Sequence, residues 1–357
     1  EEIVDEFSAL ETNSQIKQDA IIGSILKHGG LHGAVKAGQE FLGKVSSPIA
    51  SERMRAAHIL GEIENPQYYH PIVSLLDDED INIRKAAIRT IGKIKQPKLL
   101  RNILAMVDAP RLFADITKAA TAMRDDVMPH IRSFAPNASS TALKKFMSLA
   151  SKVGGKEAIS FLMSGLNSNE HNIRAAAING LHKLKYKASN DQETVILRAI
   201  DQTINLIIKI NMRSGYPDMD IAIYNEINFI LRPQMLKLMG MIYGHRIVNK
   251  VSENLNIDEG DFRSNALELL ENTISNNHSK RIIPLFENDF IKAEAQGPTE
   301  DMKIISDIIF QFPKASISDW LKAMTIRVCR DLGITQTDHW IQKVRPIQSR
   351  LLEEEVD

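Results

Sequence analysis

The sequence has one cysteine, few aromatic residues and no excess of charge of either sign. A single cysteine, Cys329, cannot build an internal disulfide framework, which fits a reducing compartment. Aromatic residues make up 6% of the 357 residues, a balance typical of helical proteins rich in Ala, Ile and Leu. The 44 basic and 45 acidic residues leave a net charge of −1, so no sequence-wide attraction to nucleic acid is expected.

Long apolar runs are also absent. No stretch approaches the roughly 18 uninterrupted apolar residues of a membrane-spanning helix, so we predict no direct membrane insertion. The segment Glu1 to Leu10 is acidic, whereas a signal peptide begins with basic residues followed by an apolar run. The chain begins without methionine and carries an acidic tail at Glu353–Glu355. We interpret it as a segment of a longer polypeptide, with removal of a tag as the alternative.

What the sequence does contain is a motif that recurs in register. An arginine is followed by small or apolar residues at positions +3 and +4 and by an aliphatic residue or methionine at +7. The motifs begin at Arg53, Arg84, Arg174, Arg232 and Arg263, which we call the repeat arginines. The steps between them are 31, 90, 58 and 31 residues, close to whole multiples of about 30. This period predicts an all-α solenoid of about ten to eleven helical pairs in a right-handed superhelix.

Polar runs before the repeat arginines predict where helices end and begin. Asp77–Asp80 is the clearest run, and we interpret it as an interhelical turn rather than a calcium loop. Each second helix, the one that carries the motif, is predicted to begin within two residues of its arginine. Positions +3, +4 and +7 then face the core. The spacing leaves room for two degenerate units at residues 116–123 and 143–153.

A glycine occupies position +8 in three motifs. A glycine inside a helix costs about 1 kcal/mol relative to alanine, so its recurrence predicts a close approach between helices or a helix end. Pro66 and Pro97 follow at the same offset in the first two motifs and are predicted to stop the helix. The three glycines are Gly61, Gly92 and Gly240.

The organisation predicted from these features is one solenoid over residues 1–357. Residues 1–45 form a degenerate N-terminal cap, and residues 46–186 form the N-terminal repeats. Residues 187–243 form an atypical long helical hairpin, with helices at 195–210 and 221–231 joined by the turn Ser214–Pro217. Residues 244–357 form the C-terminal repeats.

The motif, its period, and the polar turns and prolines between its copies resemble the HEAT-repeat family. In that family the second helix starts Val/Ile-Arg-x-x-Ala, as it does at Ile83-Arg84 and Ile173-Arg174. The resemblance implies an acidic partner for the repeat arginine six residues before it, and Asp78 stands in that position before Arg84. Ser47, Ser168 and Ile257 replace the acid before Arg53, Arg174 and Arg263, so a continuous Asp–Arg ladder is not expected.

Residues 231–286 carry a narrower resemblance. Leu231 to Tyr243, Arg263 to Asn272 and Ile282 to Leu285, followed by Asp319 to Ala323, are similar to the soluble HEAT module fused behind ATP/ADP-translocase-like transporters of bacteria. That resemblance implies a cytosolic module tethered through missing flanking segments. No substrate-binding residue of such a transporter would lie in this chain.

The residues that usually carry catalysis or bind metals do not form a recognisable site in the sequence. Gly29-Gly30 lacks the Lys-Ser/Thr of a phosphate-binding loop. His28 and His32 have a zinc-like spacing but no third ligand nearby. Cys329 lies in an apolar run and is interpreted as a small buried residue rather than a nucleophile. We therefore predict no enzyme activity, no cofactor and no metal.

A surface row remains as the candidate site. If +3, +4 and +7 face the core, positions +5 and +9 lie together on the outer side of the second helix. The resemblance to HEAT arrays implies that this side lines a concave groove, which is mildly basic in the N-terminal half. The candidate partner-binding residues are His58, Arg89, Lys93, Asn179, Lys183 and Lys237. The alternative is a merely solvated face.

The predicted function is a non-catalytic interaction or regulatory module in the cytoplasm. Its partner would be a protein or peptide: an acidic helix, the membrane part of the same polypeptide, or the acidic tail from Glu353. A free-standing scaffold is the first alternative. An enzyme on a HEAT-like scaffold, of the alkylpurine DNA glycosylase or phycobilin lyase type, is the second, but no strongly basic groove with an aromatic cradle supports it.

Overall fold

The structure is a computed structural model that describes residues 38, 41–62, 70–168, 170–211, 213–255, 257, 260–287, 298–311 and 317–334. All regular elements in these ranges are helices, which confirms the all-α solenoid. The chain forms two compact units, residues 1–155 and 156–357. The predicted boundaries after residues 45, 186 and 243 and the handedness of the superhelix stay predictions. Most of the predicted cap, 1–45, lies outside the described residues.

The first unit alternates short and long helices. After helical residues 41–45, its helices are α1 (Ala50–Glu62), α2 (His70–Leu76), α3 (Ile81–Ile94), α4 (Leu100–Ala105), α5 (Phe113–Ala122), α6 (Val127–Phe134) and α7 (Ser140–Val153). The second helices α1, α3, α5 and α7 pack side by side in chain order, while α2 packs on α3 and α4 on α6. The helices that carry the motif therefore form one layer.

The predicted helix starts were wrong by one residue. Arg53 and Arg84 are each the fourth residue of their helix, three residues after the start at Ala50 and Ile81. Helix α3 begins this early because Asp80 caps it, with its carboxylate accepting a hydrogen bond from the Asn82 amide at 2.8 Å. The polar run therefore ends at the cap, and the first helical turn precedes the repeat arginine.

The same offset identifies the two degenerate units. Ile116 is the fourth residue of α5 and Leu143 is the fourth residue of α7, so each replaces a repeat arginine. The predicted core positions are buried in all four second helices. In α3, Ala87, Ile88 and Ile91 are fully buried. The periodicity thus located helices that have lost the arginine itself.

Gly92 allows α3 and α5 to approach closely, as its recurrence predicted. A Cβ atom at this position would lie 2.8 Å from the Ala119 Cα and 3.0 Å from the Ala119 Cβ. At Gly61, the equivalent position in α1, the nearest atoms would be 3.6 Å away, an ordinary contact. Thr90 also ties α3 to α1, because its hydroxyl donates to the Ala57 carbonyl at 2.8 Å.

We expect Gly92→Ala to lower the free energy of unfolding by about 1–3 kcal/mol, since the methyl group would push α3 away from α5. Gly61→Ala is the matched control, and it should be neutral or stabilise by up to about 1 kcal/mol through higher helix propensity. Urea unfolding followed by circular dichroism measures both. Equal effects of the two substitutions would mean that the close approach at Ala119 does not exist.

Arg53 links two consecutive interhelical turns. Its Nε donates to Asp78 Oδ2 at 2.7 Å and its Nη2 to Asp78 Oδ1 at 3.1 Å. Its Nη1 donates to the carbonyls of Ser47 at 3.0 Å and Pro48 at 3.1 Å. Asp78 was expected to pair with Arg84; its hydrogen-bonded partner is Arg53 of the preceding repeat, while the charge of Arg84 also lowers the pKa of Asp78. The bidentate hydrogen bond from Arg53 holds the pKa of Asp78 below its usual range.

Asp78→Asn should therefore lower the free energy of unfolding near neutral pH. Because the pKa of Asp78 is lowered in the folded state, its stabilising contribution is present above the unfolded pKa and is lost as pH falls through the folded pKa. The difference between wild type and variant should shrink as urea unfolding is repeated at decreasing pH. Glu79→Gln is the control, since the Glu79 side chain is 87% exposed and should change little. A pH-independent difference would contradict the ion pair.

The second unit includes longer helices. They are α8 (Gly155–Gly165), α9 (His171–Lys183), α10 (Asn190–Ile210), α11 (Pro217–Asn225), α12 (Arg232–Tyr243), α13 (His245–Leu255), α14 (Gly260–Thr273), α15 (Asn276–Glu287), α16 (Pro298–Gln311) and α17 (Asp319–Asp331). Arg174 and Arg263 again stand fourth in their helices. The segments predicted to be helical at 195–210 and 221–231 are helical, in α10 and in the run that begins with α11, while the hairpin 187–243 stays a prediction.

Helix α12 begins at Arg232, as predicted, but it continues a preceding helical segment. A π-helical turn, Glu226–Leu231, connects α11 to α12 without a break, so Arg232 lies inside one helical run from Pro217 to Tyr243. Pro233 lacks an amide hydrogen and its ring crowds the carbonyl four residues earlier, which in an ordinary helix favours a kink or an end. The wider π-turn places these backbone groups differently and allows the run to continue.

The π-turn also buries a carboxylate that holds α17. Glu226 is fully buried and accepts hydrogen bonds from the Ser318 amide at 2.9 Å and the Ser318 hydroxyl at 2.5 Å. The same hydroxyl caps α17 by accepting from the Leu321 amide at 3.2 Å. Burial raises the pKa of Glu226, and the Ser318 hydrogen bonds oppose that rise.

Candidate protein-binding surface

Three of the six candidate residues lie on neighbouring second helices of the first unit. His58 is at +5 of α1, while Arg89 and Lys93 are at +5 and +9 of α3. All three are exposed, and the intervening motif positions are buried. Since α1 and α3 pack side by side, the three side chains share the solvent side of the second-helix layer. Their role in binding stays a prediction.

Arg89 does not present a free charge. Its Nε donates to Asp115 Oδ1 at 2.7 Å, which joins α3 to the first turn of α5. The Arg89 side chain is 61% exposed and that of Asp115 only 13%, so the guanidinium covers the carboxylate from the solvent side. This face is less basic than its +5 and +9 residues alone indicate, because Asp115 lies at neither position and was not considered.

A further cation occupies the same position in α7. Lys152 stands at +9 from Leu143, is exposed, and was missed because the motif there has no arginine. The 143–153 spacing was a signal that could have found it. We define the second-helix row as His58, Arg89, Lys93 and Lys152. Thr121 stands at +5 in α5, and the sequence places Glu62 and Asp125 at +9 in α1 and α5, so acidic and basic residues alternate at +9 along the layer.

The other three candidates lie in the second unit. Asn179 and Lys183, on α9, are exposed at +5 and +9. Lys237, on α12, is half-buried and donates to Asn179 Oδ1 at 2.6 Å, and burial lowers its pKa. Met241, at +9 of α12, is fully buried. The outer-row assignment was therefore wrong for α12, which packs against α9, α10 and α13.

A histidine pair that sequence analysis missed adjoins Lys237. The rings of His182 and His245 are 5.2 Å apart and meet edge to face. His245 Nε2 donates to the Tyr186 carbonyl at 2.7 Å, since a carbonyl can only accept. The Nδ1 atoms of both rings are buried without a hydrogen-bond partner in the described part of the chain. Burial, then His245 and Lys237, lowers the pKa of His182.

This pair predicts a loss of stability in acid. Because the pKa of His182 is lower in the folded than in the unfolded state, the unfolded chain binds the proton more readily. The free energy of unfolding should fall as pH falls from above the ordinary histidine pKa through the lowered value. His182→Phe should flatten this dependence in urea unfolding measured over that range. His58→Gln, at an exposed position, should leave it unchanged, and an unaltered profile in His182→Phe would contradict the assignment.

The residues considered for catalysis or metal binding are buried, form a turn between helices, or lie outside the described residues. Cys329 is fully buried, and burial raises its pKa to about 12, which opposes the thiolate that nucleophilic attack requires. Asp77–Asp80 is an interhelical turn, as predicted. His28, His32 and Gly29-Gly30 lie outside the described residues. Elsewhere, no group of three or more His, Cys, Asp or Glu is placed to hold a metal ion in the ranges the structure covers.

Comparisons with known proteins agree with the helical repeats in the first unit. A family model of HEAT repeats matches residues 41–124, which includes α1, α3 and α5. The sequence has no match among curated proteins. No helix among the described residues is both long and apolar enough to cross a membrane.

Three solved structures are similar at low identity. The complex of CpcE and CpcF of phycocyanin lyase from Nostoc sp. PCC7120 has 13% identity, covering 72% of this chain and 94% of that one, with a TM-score of 0.27. Kap95p bound to RanGDP has 12% identity, covering 95% and 47%, with a TM-score of 0.32. An engineered protein has 12% identity, covering 95% and 92%, with a TM-score of 0.29. Likeness at this level carries no inference about activity or partner.

Proposed function

We propose that the chain is a non-catalytic protein-interaction module that binds a protein or peptide along the second-helix row. The observation that carries the proposal is that exposed basic side chains stand on three of the four second helices packed side by side, at +5 in α1 and α3 and at +9 in α3 and α7. Such a row suits an acidic helix or an extended acidic peptide, since its cations complement carboxylates. HEAT-type repeats over residues 41–124 support the same proposal.

Two features favour binding a protein over binding nucleic acid or catalysis. Asp115 offsets the charge of Arg89, so the row is less basic than the groove that a DNA glycosylase requires. The sole cysteine is buried and its pKa is raised, so it offers no reactive thiolate. The proposal includes no cofactor, no nucleic acid and no direct membrane insertion. An unchanged mobility of duplex DNA at low salt would agree with it.

In its finer form, the proposal places the chain in the cytoplasm as part of a transporter-like membrane protein. The partner would then be the membrane part of the same polypeptide. This form rests on the sequence resemblance of residues 231–286 alone. The full reading frame tests it, because predicted membrane-spanning segments outside residues 1–357 would support it. Their absence would leave the free-standing scaffold.

The row can be tested with a partner captured by a photo-crosslinking residue at position 152. The purified partner should bind Lys93→Glu/Lys152→Glu at least about tenfold more weakly than wild type. Its affinity for wild type should fall with rising ionic strength, since salt screens exposed charges beyond about 10 Å at 0.1 M. Isothermal titration calorimetry measures both effects.

The matched control is Lys98→Glu/Lys144→Glu, which makes the same change in net charge at two exposed lysines outside the row. This control should change the affinity less than about twofold, because rim charges away from a contact act weakly. Circular dichroism establishes that both variants keep their helices. Equal affinities of the two variants would show that the row is not the binding site.

A further inference from the structure

Two segments of the second unit contain no acidic residue. Residues 171–190 cover α9 and the turn that follows it, and residues 227–252 cover α12 and most of α13. Neither segment has an aspartate or a glutamate, although the whole chain has 45 acidic and 44 basic residues; Asp191 and Glu253 follow directly after the segments. Lysines and arginines within either segment therefore have no carboxylate next to them in the sequence.

The fold brings the two segments together. His245 Nε2, at the start of α13, donates to the Tyr186 carbonyl at 2.7 Å. The Ala188 amide donates to the Met241 carbonyl, near the end of α12, at 2.9 Å. The turn after α9 thus lies against the place where α12 ends and α13 begins, and the residues on either side of these contacts are neighbours.

Five exposed cations flank this contact, and none of their side chains has a hydrogen-bond or ion-pair partner within the ranges that the structure describes. Three lie at the end of α9 and in the turn, and two lie four residues apart on one face of α13. The second-helix row differs, since its Arg89 is paired with Asp115. We call the five cations the turn patch: Lys183, Lys185, Lys187, Arg246 and Lys250.

The half-buried groups beside the turn patch also lie in positive surroundings. After burial, the charges of His245 and Lys237 lower the pKa of His182. Burial lowers the pKa of Lys237 as well. A nearby carboxylate would act in the opposite direction on both groups, because it favours the protonated form. The charge of the patch is therefore not offset from within the protein.

Lys185 occupies a backbone position that usually belongs to glycine. Its φ is +50°, in the left-handed region. The Tyr186 amide donates to the Leu181 carbonyl at 3.0 Å and the Lys185 amide to the His182 carbonyl at 2.9 Å, which is the pattern of a Schellman motif at the end of α9. Glycine adopts this conformation without the steric cost of a side chain. Lysine at this position instead adds an exposed charge to the patch.

We propose that the turn patch binds an acidic segment of a partner protein, with consecutive carboxylates on Lys185, Lys187 and Arg246. Unpaired cations attract carboxylates and repel a basic segment. Residues 183–187 and 245–252 include no exposed Phe, Tyr or Trp on which nucleic-acid bases could stack, whereas Ile247 is 38% exposed and suits an aliphatic side chain of a protein. The inference rests on the proposed function in that the chain binds a protein, and it adds a contact separate from the second-helix row.

Fluorescence anisotropy of labelled probes with the full chain at low ionic strength tests the proposal. The probes are GSEEEEIEEEEGS, its neutral counterpart GSQQQQIQQQQGS, and an oligouridine with eight phosphates, which matches the charge of the first peptide. We expect saturable binding of the glutamate peptide, at least about tenfold weaker binding of the glutamine peptide, and weaker binding of the oligouridine. Equal binding of the two peptides overturns the proposal, and so does tighter binding of the oligouridine.

A matched pair of variants locates the contact. Lys185→Gly/Lys187→Glu should weaken the glutamate peptide at least about tenfold. Lys95→Gly/Lys98→Glu makes the same changes in the first unit, where Lys95 is exposed, ends α3 and has a φ of +53°. This control should change the affinity less than about twofold. Glycine is favoured at both positive-φ positions, so thermal unfolding by circular dichroism should show no loss of stability in either variant.

The outcomes separate this proposal from the proposed function. Unchanged peptide binding in Lys185→Gly/Lys187→Glu, or an equal loss in Lys95→Gly/Lys98→Glu, overturns the turn patch. Failure of the peptide to bind, while a captured partner still depends on Lys93 and Lys152, overturns the patch and leaves the interaction function standing. Binding that is lost in the patch variant and kept in Lys93→Glu/Lys152→Glu supports the patch as a contact of its own.

Discussion

The close approach of neighbouring second helices is the constraint on which the first unit depends. Gly92 lies against Ala119 with no room for a methyl group, and Thr90 reaches the Ala57 carbonyl across the adjacent contact. Backbones this near to each other admit only small residues between them, which explains alanine and glycine at the recurring positions. The same packing turns the +5 and +9 positions toward solvent. The candidate row is a consequence of how tightly the layer is packed.

Charged side chains serve two different purposes in this layer. Arg53 is almost buried and joins consecutive turns, through Asp78 on one side and the Ser47 carbonyl on the other. The positive charge of Arg53 is paired within the protein, because burying a guanidinium without such partners would be destabilising. Arg89 and Lys152 are exposed instead, and only Lys152 adds its charge to the surface without a carboxylate beside it in the described structure. Arginine content alone is therefore a poor guide to the charge of this face.

The second unit keeps the motif but places it in a different local structure. The π-turn before Arg232 makes α11 and α12 one run and buries Glu226 against the start of α17. Further along, Met241 on α12 is buried, and His245, the first residue of α13, lies against His182. A row that is open to solvent in the first unit is thus partly closed here, and a titratable pair lies beside it. The two units differ in their surfaces because their helices have different neighbours.

Periodicity in the sequence determined the helical class, the order of the second helices and their buried faces, down to α5 and α7, where Ile116 and Leu143 replace the arginine. These features follow from local chemistry: the 3.6-residue repeat of apolar side chains and the capping residues in the turns. The tertiary structure decided the partner of Asp78, the pairing of Arg89 with Asp115, the burial of Met241 and the contact between the turn after α9 and the start of α13. Each of these depends on contacts between residues that belong to different helices or turns. A pattern within one helix indicates which side faces inward, but not which neighbour covers the other sides.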